Sequence, residues 1–307
     1  MEENKFLFKT NNMNANQLFG YQIIEKQLLE NFRSGRLHHA LLFCGNKGIG
    51  KSNFTKNLAK IIVGNSTSIS FENNPDILLI ERDETKRDIT VDLIRKITDF
   101  TNLTSAFSSK RIIIIDAIDE MNKNASNALL KILEEPNENI FFLLINHNSN
   151  KTIPTIKSRC RIIKIKPPKF EDFVSALKSL EPTITLEEIK DLFVISSGSI
   201  GLALEFYKYK GLEIYSEFES VITNDNEIKI IDFLGKISDK NLSWIVPEQV
   251  INLYLITKTK ELTKNNSNLN SIFAITDQIN KLLLEVKNLN SDKKHSIINI
   301  INLLKSI

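Results

Sequence analysis

At 307 residues, with 42% hydrophobic and 25% charged side chains, the chain has an ordinary globular composition and room for two or three domains, each able to bury a core. Lys and Arg total 40 against 37 Asp and Glu, a net charge of +3 that is too balanced to signal tight nucleic-acid binding from charge alone. Two cysteines, Cys44 and Cys160, exclude a four-cysteine zinc site or a disulfide framework. No apolar run approaches the ~18 residues of a membrane span, and the first ten residues lack a signal-peptide core, so a cytoplasmic protein with no membrane partner is expected.

Taken in order, Ala40–Cys44 (ALLFC) is a short apolar run that ends at glycines. Lys51–Val63 follows with Phe54, Leu58, Ile61 and Ile62 at helical spacing. Ile77–Ile80 predicts a second buried strand, and Leu93, Ile97 and Phe100 then share one helical face of Val91–Phe100. Ile112–Ile115 predicts a third strand. Ala125, Leu129 and Ile132 mark a helix that Pro136 stops. Ile140–Ile145 and Arg161–Ile165 complete the set of strands. Strands that are mostly apolar throughout, with helices between them, predict an α/β fold with a parallel sheet covered on both faces.

The texture changes at Pro167-Pro168, beyond which no strand pattern is found. Residues 170–206 predict two or three short helices, with Ser196-Ser197-Gly198-Ser199 as a break and a helix start. From about 209 the helices lengthen. Ile272, Ile275, Ile279, Leu282 and Val286 step by 3 and 4 along one face, as do Ile297, Ile301 and Leu304. The Asn-rich stretch 264–270 reads as a loop.

Gly45-Asn46-Lys47-Gly48-Ile49-Gly50-Lys51-Ser52 matches G-x-x-x-x-G-K-[ST], with a strand before it and a helix after it. The chemistry demands these types. Gly45, Gly48 and Gly50 let backbone N–H groups turn inward around phosphate oxygens, and the helix N-terminus adds its positive end. Lys51 would reach the β- and γ-phosphates, and the Ser52 hydroxyl would ligate Mg²⁺. Asp116, at the end of Ile112–Ile115, is placed to be the second Mg²⁺ partner; the competing reading is a strand-terminal Asp capping the next turn. Hydrolysis also needs a group to polarise water, yet the next residue is Ala117. Asp119 and Glu120 lie in the following turn, where solvated or helix-capping roles are expected rather than a catalytic one.

These residues are joined by a wider pattern. Gly35-Arg36-Leu37-His38-His39-Ala40-Leu41-Leu42-Phe43 leads into the loop; Asp116-Ala117 is followed by Met121-Asn122, then by Asn127-Ala128-Leu129-Leu130-Lys131-Ile132-Leu133-Glu134-Glu135-Pro136, and then by Ser158-Arg159-Cys160. Together they resemble the clamp-loader branch of the AAA+ ATPases, and within it the delta-prime family of bacterial DNA polymerase III subunits. The resemblance is dense over residues 16–205 and fades to an all-helical character over 209–307.

The resemblance implies an AAA+ P-loop α/β domain over 1–167, a small helical lid over 168–208 and a C-terminal all-α collar for oligomerisation over 209–307. It implies a stator subunit in a hetero-pentamer with gamma/tau and delta subunits, loading the sliding clamp on primed DNA. Arg159 would reach the ATP of a neighbouring subunit as a trans arginine finger; the bland alternative is a surface arginine ahead of a strand. Sensor 1 would fall at Asn146, equally readable as a strand-end loop residue.

Three departures from the motor-subunit pattern bear on the choice. No acid follows Asp116, Gly201 stands where motor subunits carry the sensor-2 Arg, and the stretch 53–75 has no Cys, so the zinc module of many relatives is impossible here. The first two imply a member of the polymerase III complex with no significant ATPase or polymerase activity of its own. Many delta-prime sequences have a degenerate phosphate loop, whereas this one is intact, so ATP/Mg binding stays open. The alternative is an autonomous motor of the gamma/tau type. A small-substrate P-loop kinase would need an Arg-rich lid, and residues 60–80 hold no Arg. His38 and His39 have no triad or metal-spaced partners and read as structural, and the basic runs Lys164–Lys169 and Lys258–Lys264 read as solvated faces.

Overall fold

The computed structural model describes residues 20–306 apart from 65–69, 84–85, 103–109, 137–138, 149–151, 225–226, 239–241, 265–268 and 290–291. The chain separates into two compact units, Met1–Gly201 and Leu202–Ile307.

The first unit is built on one sheet of β1 (Ala40–Cys44), β2 (Ile77–Glu81), β3 (Arg111–Asp116), β4 (Ile140–Asn146) and β5 (Arg161–Lys164). Its order is β2-β3-β4-β1-β5, and every pair is parallel. Helices α1 (Gln22–Arg33), α2 (Lys51–Ile62), α3 (Val91–Asn102), α4 (Lys123–Glu134) and α5 (Pro154–Ser158) connect and cover it. Successive strand side chains point to opposite faces, so each strand feeds two cores. Leu41, Phe43, Ile112, Ile114, Leu143 and Ile145 pack with Leu28 of α1 and Phe54, Leu58 and Ile62 of α2. Ala40, Leu42, Ile113, Ile115, Phe142 and Leu144 pack with Ile94 and Ile97 of α3 and Ala125, Leu129 and Leu133 of α4. Burial on both faces is why these strands read as continuous apolar runs.

β5 is the exception. It lies at the sheet edge, and Arg161, Ile162 and Lys164 are exposed. The strand ends one residue before the predicted Ile165, whose N–H still donates to the Cys44 carbonyl at 2.8 Å. Helices α1 and α5 were not apparent in the hydrophobic pattern. After β5, α6 (Phe170–Leu180), α7 (Leu186–Ile195) and α8 (Ile200–Lys208) supply the three short helices, and the division between the units falls inside α8.

One buried ion pair fixes the lower end of β3. Arg111 and Asp76 are 5% and 1% exposed, with Nε 4.0 Å from Oδ1. The same guanidinium donates to the Phe100 carbonyl and lies 4.8 Å over the Phe100 ring. Removing one partner of such a pair strands a charge in the core and costs roughly 3–5 kcal/mol. Arg111→Ala is therefore expected to lower the free energy of unfolding measured by urea titration by that amount; a loss below about 1 kcal/mol, the value of an exposed pair, would show that water reaches Asp76.

The second unit is helical throughout its described residues: α9 (Gly211–Thr223), α10 (Glu227–Ile237), α11 (Ile245–Lys264), α12 (Leu269–Leu289) and α13 (Lys293–Lys305). Phe218 of α9 anchors it, with ring centroids 5.5 Å from Phe233 of α10 and 5.6 Å from Tyr254 of α11. Ile272, Ile279 and Val286 of α12 are buried with Ile297, Ile301 and Leu304 of α13, as their spacing predicts. Pro247 falls in the first turn of α11, where its missing N–H costs no helical bond. Of the stretch 264–270 expected to be a loop, Lys264, Leu269 and Asn270 are helical, and 265–268 lie outside the described residues.

Candidate functional site

In an open parallel sheet, ligands collect at the carboxyl ends of the strands where the strand order reverses. Here that region lies between β1 and its neighbours. The register pairs Cys44 with Asn146 and Asp116 with Ile145, so the phosphate loop, Asp116 and Asn146 emerge side by side.

The loop needs its glycines. A Cβ on Gly45 would lie 2.4 Å from the Ile165 carbonyl oxygen, too close for any side chain. Gly48 and Gly50 have φ of +83° and +97°, a left-handed backbone in which other residues are strained. Gly50 is the N-cap of α2, so the helix begins at Lys51.

The loop is held on its outer side by side chains and backbone from three places. Tyr21, just before α1, donates its hydroxyl to the Ile49 carbonyl and, at 3.3 Å, to that of Lys166. Burial, then the negative charge of Asp172, push this phenol well above its usual range, so it stays a donor. Ser199 Oγ donates to the Lys47 carbonyl at 3.1 Å, and the Gly201 N–H donates to the Gly48 carbonyl at 2.9 Å. The Gly201 backbone is thus a brace for the loop.

Lys51 is 2% exposed and donates Nζ to the carbonyls of Gly45 and Asn46, each at 2.6 Å. Burial lowers its pKa to about 8, against the opposing pull of Asp116 and Asp119. With three N–H donors, the ammonium has one left for a ligand.

Ser52 hydrogen-bonds Asp116, and His147 Nε2 lies 3.4 Å from Asp116 Oδ1. Burial by itself would raise the Asp116 pKa. The hydrogen bond and charge of His147, the Ser52 hydrogen bond and the charge of Lys56 outweigh it and hold the carboxyl below its ordinary value. Ser52 and Asp116 are therefore adjacent hard oxygen donors, the kind Mg²⁺ takes beside a nucleotide phosphate. His147 was not expected here; only its place directly after Asn146 could have pointed to it.

Asn146 is fully buried. Its Nδ2 donates to Cys44 Sγ at 3.8 Å and its Oδ1 accepts from the Asn148 N–H at 3.0 Å. Its side chain thus ties the ends of β1 and β4 together.

The acids after Ala117 are half-buried and make specific contacts, and neither caps α4. Asp119 accepts the N–H groups of His147 and Asn148 at 2.9 and 3.1 Å and fixes the turn after β4. Glu120 pairs with Arg82 at 2.8 Å and with Lys47 at 3.6 Å. The N-cap of α4 is Asn122, whose side chain accepts from the Ala125 N–H. His38 and His39 stack at 4.4 Å at the opposite end of β1, far in the chain's direction from the phosphate loop.

Arg159 stands apart from this cluster, at the C-cap of α5 and two residues before Arg161 opens β5. Its Nη2 donates to Glu134 Oε1 at 2.6 Å, and its Nη1 donates to the Thr155 carbonyl at 3.0 Å. Burial pushes the neighbouring Cys160 thiol up to about 12, so it is a packing group rather than a reactive thiolate.

A parallel sheet in this order, with a phosphate loop after β1 and a carboxylate ending β3, defines a P-loop protein of the AAA+ kind. Residues 20–169 match the family described as DNA polymerase III, delta subunit. The chain is 29% identical over 174 residues to DNA polymerase III subunit delta′ of Pseudomonas aeruginosa, covering 52% of this chain and 53% of that protein. It is 33% identical over 156 residues to subunit delta′ of Bacillus subtilis, 47% of each chain. Subunit gamma of Buchnera aphidicola is 32% identical over 175 residues, 53% of this chain and 48% of that one. The chain thus spans about half the length of the curated relatives it matches. A solved DNA polymerase III, gamma subunit-related protein from Thermotoga maritima superposes with a TM-score of 0.54 at 21% identity, over 91% of this chain and 99% of that one, and shows the same fold. The similarity to delta′ and gamma subunits of DNA polymerase III is thus concentrated in the first half of the chain.

Proposed function

We propose that the chain is the stator of a DNA polymerase III clamp loader, a subunit that organises and activates its neighbours instead of hydrolysing ATP. In this reading residues 1–167 are the AAA+ domain, 168–208 the lid and 209–307 the collar of a cytoplasmic hetero-pentamer with gamma/tau and delta subunits. The complex loads a sliding clamp on primed DNA, and Arg159 serves the ATP site of a neighbour.

One observation carries it. The phosphate loop, Ser52 and Asp116 have the residue types to hold a nucleotide, yet the two acids that follow Asp116 in the chain are committed to other contacts. Ala117 has no side chain to polarise water, Asp119 is spent on two backbone N–H groups, and Glu120 is paired with Arg82 and Lys47. Gly201 offers only its backbone, to Gly48. Ser52 and Asp116 would hold the cation of a bound magnesium nucleotide, and Lys51 and the loop N–H groups its phosphate charge.

The isolated protein is therefore expected to turn over ATP far below ~1 s⁻¹, the lower end for working enzymes. Steady-state phosphate release by the purified chain tests this. The intact Gly45–Ser52 loop, together with relatives that include gamma subunits, favours the motor as the second reading. A rate near 1 s⁻¹ or above without partners would establish it and sink the stator.

A further inference from the structure

We propose that Glu134 is the positioning residue for Arg159, holding its guanidinium in the orientation in which it meets the neighbouring subunit's nucleotide. The inference rests on the reading of Arg159 as a trans arginine. Arginine on a short helix at the sheet edge has several freely rotating bonds, and a finger that must be ordered at each turnover loses rate to that disorder. Here the two terminal nitrogens are tied to different elements. Nη1 reaches the Thr155 carbonyl of its own helix at 3.0 Å and, weakly, Ser158 Oγ at 3.5 Å; Nη2 reaches Glu134 of α4 at 2.6 Å. Two anchors fix the guanidinium plane. Of its five N–H donors these contacts use three, so donors remain for an incoming phosphate oxygen.

The platform is rigid. Leu129 and Leu133 of α4 are buried against the sheet, so Glu134, one residue on, is set relative to the strands. Its placement is poor for stability. It is the last residue of α4 and Glu135 follows as the C-cap, where the negative end of the helix disfavours carboxylates. The pair is 34% and 49% exposed, so solvent screens most of its worth to the fold. A residue that breaks the local helix rule for so little stability has its use in what it holds.

The test is a double-mutant cycle in the complete reconstituted complex, with clamp and primed DNA present and equal assembly confirmed by size. Glu134→Ala is expected to lower the stimulated kcat in the same direction as Arg159→Ala but by less, on the order of 10-fold at the site served, with KM for ATP unchanged. Glu134→Asp should recover part of the loss. Added to Arg159→Ala, Glu134→Ala should change nothing further, because it acts only through the arginine. An unchanged or raised rate in Glu134→Ala, beside a lowered rate in Arg159→Ala, overturns the positioning role and leaves the trans arginine standing. A double variant that falls below Arg159→Ala also overturns it, since Glu134 then acts by another route. An unchanged rate in Arg159→Ala removes the reading on which the proposal stands.

Discussion

Replacing Arg159 by alanine is expected to lower the clamp- and DNA-stimulated ATPase of the reconstituted complex while leaving assembly intact. A guanidinium supplied across an interface stabilises charge on the transferring phosphoryl group, worth roughly 10³–10⁵ in rate at the site it serves. The whole-complex rate falls partly if the sites fire independently and much further if they act in concert. Arg159→Lys should rescue poorly: an ammonium cannot donate in two directions in one plane, as the guanidinium does to Glu134 and Thr155. Stability should hardly move, because the Arg159–Glu134 pair is substantially exposed and worth about 0–1 kcal/mol. Wild-type and variant complexes of equal size, assayed for ATP hydrolysis with clamp and primed DNA, decide the matter. Equal rates would leave Arg159 as a surface residue paired with Glu134.

What was legible in the sequence was local. The strands other than β5 were found because parallel strands covered on both faces are apolar without interruption, as in Ile112–Ile115, and the phosphate loop because its chemistry fixes residue types over eight consecutive positions. Helix α1 was missed because only Leu28 of it is fully buried, and α5 because five residues are too few to show a helical period. Several of the site contacts that were not foreseen bridge long separations. Tyr21 is 28 residues from Ile49, Arg159 is 25 from Glu134, and Asp119 is 28 from His147. Pattern reading sees that Asp119 and Glu120 are polar in a turn, but it has no access to the N–H groups and cations that the fold brings to them. The Ser158-Arg159-Cys160 motif singles out the arginine, which lies at the C-cap of α5 ahead of β5, yet nothing in its spacing pointed to the carboxylate that holds it.

Lys51→Ala is expected to weaken nucleotide binding at least about 10²-fold, since a buried charge-assisted contact to phosphate is lost. Clamp loading by the complex should persist, because in a stator the energy comes from neighbouring sites. The pH dependence gives the sharper test. In the folded protein burial brings the Lys51 pKa down to about 8, whereas in the unfolded chain it keeps its ordinary value of 10.5. Between these values the unfolded state holds more protons, so this group makes folding more favourable as pH rises. Nucleotide binding runs the other way. Phosphate favours the charged ammonium, so above pH 8 binding must take up a proton, and affinity should fall by up to about tenfold per pH unit. An ordinary exposed lysine would give a flat profile to beyond pH 9.5. Fluorescent-nucleotide titrations of the full chain from pH 7.5 to 9.5 measure this directly. Lys51→Arg, which stays protonated throughout, should bind with little pH dependence if the loop accepts its larger head. A flat wild-type profile would mean that burial does not bring the Lys51 pKa down into this range. Loss of clamp loading in Lys51→Ala with the complex still assembled would instead show that nucleotide in this subunit drives the reaction, and the stator assignment would fall.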